Sequence, residues 1–178
     1  AIEIKLTGDL AQQYDIYYRV HAQNVGWLDW AKNGESSGTA GYGYRLEAIE
    51  IKLVEKNGEA PGAITRPFVK YPTVSYQTHV QNVGWQPDVR NGESSGTTGQ
   101  SLRLEGIKIR LTDLPYAGSI SYSTHIQNIG WQNDVSDGLL SGTTGLELRL
   151  EAIKIKLNGE MAQNFDIYYR VHAQIFGW

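Results

Sequence analysis

Cysteine is absent from the chain, which removes disulfides and thiolate chemistry and leaves packing as the source of stability. Methionine occurs once and proline five times, and no apolar run approaches the roughly 18 residues that mark a membrane-spanning helix. A surplus of positive charge is missing too. With 16 basic against 19 acidic residues the net charge is −3, the wrong sign for a chain that must replace the counterions of a nucleic acid. A hydrophobic share of 40% separates the chain from disordered sequences. What is plentiful is glycine (20), tyrosine (11) and tryptophan (5), the balance of a turn-rich, aromatic-rich β protein.

Self-similarity dominates the rest. His21-Ala22-Gln23-Asn24-Val25-Gly26-Trp27 returns at His79 to Trp85, at His125 to Trp131 and, altered, at His172 to Trp178. The first three copies continue into Asn/Asp-Gly (Asn33-Gly34, Asn91-Gly92, Asp137-Gly138) and then a small-residue Ser-Gly-Thr-x-Gly loop. Each ends on Arg-Leu-Glu-x-Ile-x-Ile-x-Leu, beginning at Arg45, Arg103 and Arg149. Trp27, Trp85, Trp131 and Trp178 lie 58, 46 and 47 residues apart. Fixed-period repetition dictates architecture before any single residue does.

Strands are legible within each copy. Ile2, Ile4 and Leu6 alternate with Glu3 and Lys5, and Ile16, Tyr18, Val20 and Ala22 alternate with Tyr17, Arg19, His21 and Gln23. Period-two alternation of this kind predicts half-buried strands. Ile49, Ile51 and Leu53 continue the pattern over 44–53, but Leu46 and Ile49 are out of phase, which predicts a bulge near Glu47 and Ala48. Asn57-Gly58, Pro61-Gly62, Pro67 and Pro72 break the rhythm and predict a linker over 58–73. Residues 1–57 then read as the end of one repeat triad, 74–111 and 112–157 as repeats, and 158–178 as the start of another. The chain opens and stops inside repeats, so it reads as a piece of a longer array, with any export signal upstream.

Repeats of about forty residues cannot bury a core alone and must share one. The expectation is an all-β, antiparallel fold with threefold pseudo-symmetry, β-trefoil-like or β-prism-like, with an open stack as the alternative. Residues 152–178 nearly duplicate 1–27, so one of these ends lacks a slot. Exchange or head-to-tail contact between copies follows, because complementary ends that do not close give open assemblies.

The candidate ligand contacts are His21, Gln23, Trp27, Trp30, His79, Gln81, Asn82, Trp85, His125, Gln127, Asn128 and Trp131. The histidines and glutamines lie opposite the core row, either facing a ligand or pairing with Glu47, Glu105 and Glu151. A tryptophan recurring at one place reads first as the large core residue of each layer; exposed, its ring would stack on a sugar. Trp30, Tyr42 and Tyr44 occur in the first repeat alone and are read either as exposed contacts or as cover for a seam. Arg45-x-Glu47 and its equivalents read as repeat-to-repeat ion pairs. One histidine per repeat without cysteine makes a poor metal site, and no nucleophile elbow, zinc motif or carboxylate pair marks a catalytic centre. No cofactor is expected.

In these three linked motifs the chain resembles the clostridial hydrophobic repeats with a Gly-Trp signature, the ChW family. The resemblance covers nearly everything outside 54–73 and implies a non-enzymatic module of secreted or surface proteins of Gram-positive anaerobes. It implies partners among envelope polysaccharide, other glycans or proteins, own copies included, and supplies no catalytic residues. Leu139-Leu140 in place of Glu35-Ser36 and Glu93-Ser94, and Ile175-Phe176 in place of Asn-Val, make the copies unequal. The leading expectation is multivalent, shallow glycan binding; the other is a structural or adhesive repeat that binds protein or assembles with itself.

Overall fold

The computed structural model describes all 178 residues, which form two compact units, Ala1–Tyr71 and Pro72–Trp178. Unit 1 holds the first repeat. A one-turn helix α1 (Leu10–Gln13) leads into the long central strand β1 (Tyr14–Ala22), followed by the short strands β2 (Gly26–Trp27), β3 (Ala31–Lys32) and β4 (Gly38–Ala40). The second long strand, β5 (Leu46–Glu55), runs antiparallel along one edge of β1, while β2 and β3 share its other edge. A final strand, β6 (Phe68–Lys70), pairs in parallel with β4.

Unit 2 repeats this plan twice. The second repeat comprises β7 (Thr73–Val80), β8 (Gly84–Trp85), β9 (Val89–Arg90) and β10 (Leu104–Thr112). The third comprises β11 (Gly118–Ile126), β12 (Gly130–Trp131), β13 (Val135–Ser136), β14 (Ser141–Gly142) and β15 (Leu150–Gly159), after which comes α2 (Met161–Asn164). Registers correspond residue for residue: His21↔Trp27, His79↔Trp85 and His125↔Trp131. In all three long pairs one extra residue bulges from the second strand. It is Glu47, Glu105 or Glu151, since His21 pairs with Ala48 and Ala22 with Leu46, and likewise in the others. The bulge predicted from the phase break is therefore present, and it resets the alternation so that Ile49, Ile51 and Leu53 share the core face with Val20, Tyr18 and Ile16.

The cores sit between a strand row of one repeat and the face of the next. In unit 1, Ile2, Ile4 and Leu6 pack on Ile16, Tyr18 and Ala31, and Ile2 exchanges backbone hydrogen bonds with Ser37 at 2.8 and 2.9 Å. In unit 2, Ile107, Ile109 and Leu111 of β10 pack with Ile120, Tyr122 and Val135 of the third repeat, and Ile107 pairs with Ser141. These are the same joint built at equivalent residues. Each half-buried row residue contributes about 1 kcal/mol by area. The architecture is all-β and, apart from β4 with β6, antiparallel, with three similarly arranged repeat sheets. No sheet closes into a barrel or prism, which corrects the trefoil or prism expectation. The joint links two different surfaces, tail row and face, and such a relation closes only when the rotation between repeats returns the last to the first, which the paired strands here do not do.

Residues 58–73, expected as a linker, carry β6 and strap the first repeat. The Trp30 N–H donates to Ala63 O (2.9 Å), the Gly38 N–H to Pro67 O (2.9 Å) and the Tyr71 N–H to Ala40 O (2.8 Å). Val69 of the strap is buried on Val20 and Leu28. Trp30 is only 8% exposed, correcting its placement among exposed contacts: Gly62 lies against its indole, and a Cβ there would come within 3.1 Å of Nε1. Tyr42 stacks on Tyr44 (5.1 Å between centroids) and meets Tyr71 edge-on, so these rings also cover a seam. Residues 165–172 match β1 in sequence but pair with no strand, and Tyr168 and Ile175 lie in solvent.

Candidate functional site

The outer face of each sheet carries one recurring cluster. A tight turn reverses the chain after β1, with Asn24, Asn82 and Asn128 in left-handed conformation (φ 60, 60 and 63) and the following Gly26, Gly84 and Gly130 also at positive φ. The turn lays the tryptophan beside the histidine across the strand pair. Ring centroids are 5.6, 5.4 and 5.5 Å apart for His21–Trp27, His79–Trp85 and His125–Trp131, all edge to face. The bulge presents the glutamate to the same histidine: Nδ1 lies 3.1, 3.0 and 3.1 Å from Glu47, Glu105 and Glu151. Arg45, Arg103 and Arg149 bind those glutamates at 2.9, 2.9 and 2.8 Å. The histidine–glutamate pairing expected as the structural alternative is thus realised, and the Arg-x-Glu pairs close within a repeat instead of between repeats.

Of the tryptophans that end the turns, Trp27, Trp131 and Trp178 are exposed and Trp85 is half-buried. Trp27 and Trp131 are 43% and 44% exposed, which corrects the layer-filling reading. A cation covers a face of every ring: Arg19 on Trp27 (5.0 Å), Lys108 on Trp85 (4.4 Å), Lys154 on Trp131 (4.0 Å) and Arg170 on Trp178 (4.9 Å). The cation comes from two different places. Arg19 lies on the first strand and opposes Glu50, whereas Lys108 and Lys154 occupy the position of Glu50 and oppose Gln77 and Ser123. A repeat that puts an acid on the second strand puts its cation on the first, so the contact with the ring persists. Arg19 also reaches Trp30 (4.9 Å). Cation–ring and edge-to-face contacts contribute about 0.5–1.5 kcal/mol each, and exposed ion pairs about 0.2–1 kcal/mol. The cluster therefore pins the tight turn to the sheet.

The remaining predicted contacts lie apart from it. Gln23, Gln81 and Gln127 are half-buried, and their backbone N–H groups donate to Arg45, Arg103 and Arg149 carbonyls at 3.0 Å. Asn82 and Asn128 are exposed turn formers. Asn33 and Asn91 do more than turn: their Oδ1 atoms accept the N–H groups of Ile16 (3.0 Å) and Val74 (2.9 Å).

A second, buried cluster was not read from the sequence. Thr78 and Ser95 share a hydrogen bond of 2.8 Å, Thr124 and Ser141 one of 2.9 Å, and Gln86 and Gln132 accept the Gly96 and Gly142 N–H groups at 2.6 Å. These networks anchor the Ser-Gly-Thr loops from beneath. The first repeat replaces Thr and Gln together by Val20 and Leu28, leaving the Ser37 hydroxyl buried without a partner and making the apolar floor on which Val69 lies. Placing the repeats in register would have exposed this paired exchange. Asp15 is the other local device of the first repeat. Buried, it binds Lys32 (2.8 Å), Lys56 (2.8 Å) and Asn33 (2.7 Å), and these partners hold its carboxyl well below the usual carboxylate range. The same contact raises the Lys32 ammonium.

Docking of the next repeat changes the face. In the second repeat, whose tail strand is seated on the third, Glu105 is 5% exposed, and the Thr143 N–H donates to its carbonyl at 2.7 Å. Leu140 and Trp85 both lie over Gly106, the small residue that lets them approach. Glu47 and Glu151 are exposed. No three His, Asp or Glu side chains converge as a metal site, and no helix is long and apolar enough to cross a membrane. Neither the curated proteins nor the solved structures compared with this chain gave a match. A family profile described as Clostridial hydrophobic W does match, three times, over 21–55, 79–113 and 125–159, which is more than half of the chain, each match opening at the end of the first long strand of a sheet and running through its second. The chain belongs to the Clostridial hydrophobic W (ChW) family and is a non-catalytic, all-β repeat module.

Proposed function

We propose that this chain is a structural or adhesive repeat segment of a secreted or surface-displayed bacterial protein, binding protein partners, its own copies among them, through the surfaces that join its repeats. The observation that carries this reading is the joint itself: it is built twice at equivalent residues, and in the second repeat, which donates its strand to the third, the glutamate of the His–Glu–Arg cluster is buried and His79 and Arg103 are less exposed than their equivalents. A cluster whose glutamate becomes buried when repeats stack serves stacking first. The cations lying on the tryptophan rings support this, since they occupy a ring face that a sugar would need.

The glycan reading keeps one specific support. Trp131 is exposed and, with Ile129, Gln132, Asn133, Val135 and Leu140, lines a shallow depression of the mixed apolar and amide character that sugars prefer. Gram-positive cell walls decide between the two. The purified chain is sedimented with intact walls, with walls stripped of secondary polysaccharide, and with walls treated with protease. Retention that survives stripping and disappears after protease is expected; retention lost on stripping refutes the protein-binding reading and establishes a wall-glycan module.

A further inference from the structure

Three equivalent grooves receive the row Ile-x-Ile-x-Leu, and two of them are filled. In the first repeat the groove holds residues 1–6: a Cβ on Gly38 would meet the Ala1 Cα at 3.0 Å, and the Lys5 stem lies 3.7 Å from the place of a Cβ on Gly34. In the third repeat it holds β10. A Cβ on Gly142 would meet Gly106 Cα at 2.6 Å, Arg110 lies at Gly138, and the Tyr122 hydroxyl accepts the Ile109 N–H at 3.0 Å. In the second repeat the same positions are open. Nothing lies within 4 Å of a Cβ on Gly92, one on Gly96 would meet only Leu104, and Val74, Tyr76 and Val89 remain half-buried along the floor.

A row without a groove is also present. Ile49, Ile51 and Leu53 on β5 are 44%, 55% and 54% exposed, while their counterparts Ile153, Ile155 and Leu157 are packed. Residues 48–53 read Ala-Ile-Glu-Ile-Lys-Leu, letter for letter the sequence of 1–6, which the first groove already accepts. The open groove and the bare row are therefore halves of a joint whose geometry this molecule demonstrates twice.

We infer that β5 of one copy seats Ile49, Ile51 and Leu53 in the open groove of the second repeat of another copy, linking chains head to tail. This rests on the protein-binding reading above and names its partner. Ile49 takes the place of Ile2 and Ile107, exchanging backbone hydrogen bonds with Ser95 as they do with Ser37 and Ser141. Tyr76, whose hydroxyl donates to Glu93 O, gains an N–H from residue 51, as Tyr122 does from Ile109. Row and groove are different surfaces, so a single link leaves one of each free, and further copies add until the rotation between them closes a ring.

Light scattering on the full chain tests this with complementary variants. Ile51→Lys with Leu53→Lys removes the row, and Val89→Lys blocks the groove. The wild type is expected to grow with concentration, and each variant to stay at the chain mass of 19.9 kDa. An equimolar mixture of the two variants is expected to double that mass and stop, because only one good row and one good groove meet. A peptide spanning residues 46–55, added to the wild type, dissolves its assemblies and keeps the test valid if a variant folds poorly. A wild type that stays at the single-chain mass overturns the inference, as does a mixture that stays there. If wall proteins still retain that chain, the broader reading stands and this partner alone falls.

Discussion

Ser37 and Ser141 occupy the same position and should respond to alanine with opposite signs. Both are fully buried, at 0% and 1% exposure. The Ser141 hydroxyl shares a 2.9 Å hydrogen bond with Thr124, and its loss costs about 1 kcal/mol, since Thr124 keeps Gln132 at 3.4 Å. The Ser37 hydroxyl has no partner because Val20 stands where Thr124 does. A buried, unpaired hydroxyl carries a penalty of about 1–3 kcal/mol, so Ser37→Ala should stabilise unit 1 by about 1 kcal/mol once the lost contacts of the oxygen are deducted. The contrast between the two variants is then about 2 kcal/mol. For units of this size a change of 1 kcal/mol moves the melting midpoint by about 4–8 °C. Scanning calorimetry of both variants, with hydrogen exchange to assign the transitions to their units, reads the result. A Ser37→Ala protein that melts below the wild type refutes the reasoning.

Two further outcomes follow from the same geometry. Gly142 and Gly96 share a φ of 114°, so alanine strains both backbones equally, but at Gly142 the new Cβ would lie 2.5 Å from Glu105 O while at Gly96 only the Leu104 side chain stands near. Gly142→Ala should cost at least about 2 kcal/mol more than Gly96→Ala and shift Trp85 emission to the red; equal costs in urea unfolding would show that the joint bears no such load. Asp15→Asn should weaken unit 1 at neutral pH. The carboxyl is held low in the folded state, so its contribution is complete above the unfolded value of about 3.9 and drains away as the pH falls toward the depressed folded one. Urea midpoints of wild type and variant should therefore converge in acid, and a gap that stays constant between pH 7 and pH 2.5 would contradict this.

Much of the strand plan can be read from letters because burial leaves a period of two, and a break in that period, as at Glu47, has one economical explanation. The pairing of His21 with Glu47 follows from the same parity once the bulge is admitted. Trp27 offers no such handle: it sits on a two-residue strand after a turn, where no periodicity says which way a ring points. Its cover comes from Arg19, yet that of Trp131 comes from Lys154 on the other strand, a substitution in space that a single copy cannot reveal. The strap over Trp30 escapes for a different reason. It is held by backbone hydrogen bonds and one buried valine, neither of which marks a proline-rich stretch as ordered. Closure into a trefoil was expected from the count of repeats, but what matters is the rotation that each joint imposes between neighbours, which the letters do not record.

The joint also puts the unit of resemblance out of phase with the unit of cohesion. The family windows open at His21, His79 and His125 and close at Glu55, Asp113 and Gly159. They enclose the tryptophan turn and the donating row, but leave out Ile16 and Tyr18, or Ile120 and Tyr122, the floor on which the preceding row rests. A fragment cut at the window edges therefore carries one plug and no complete socket. Cutting some twenty residues earlier, so that a row, its groove and the following sheet travel together, gives the smallest piece that holds a finished core. Swapping or grafting such repeats will succeed or fail on where that cut is made.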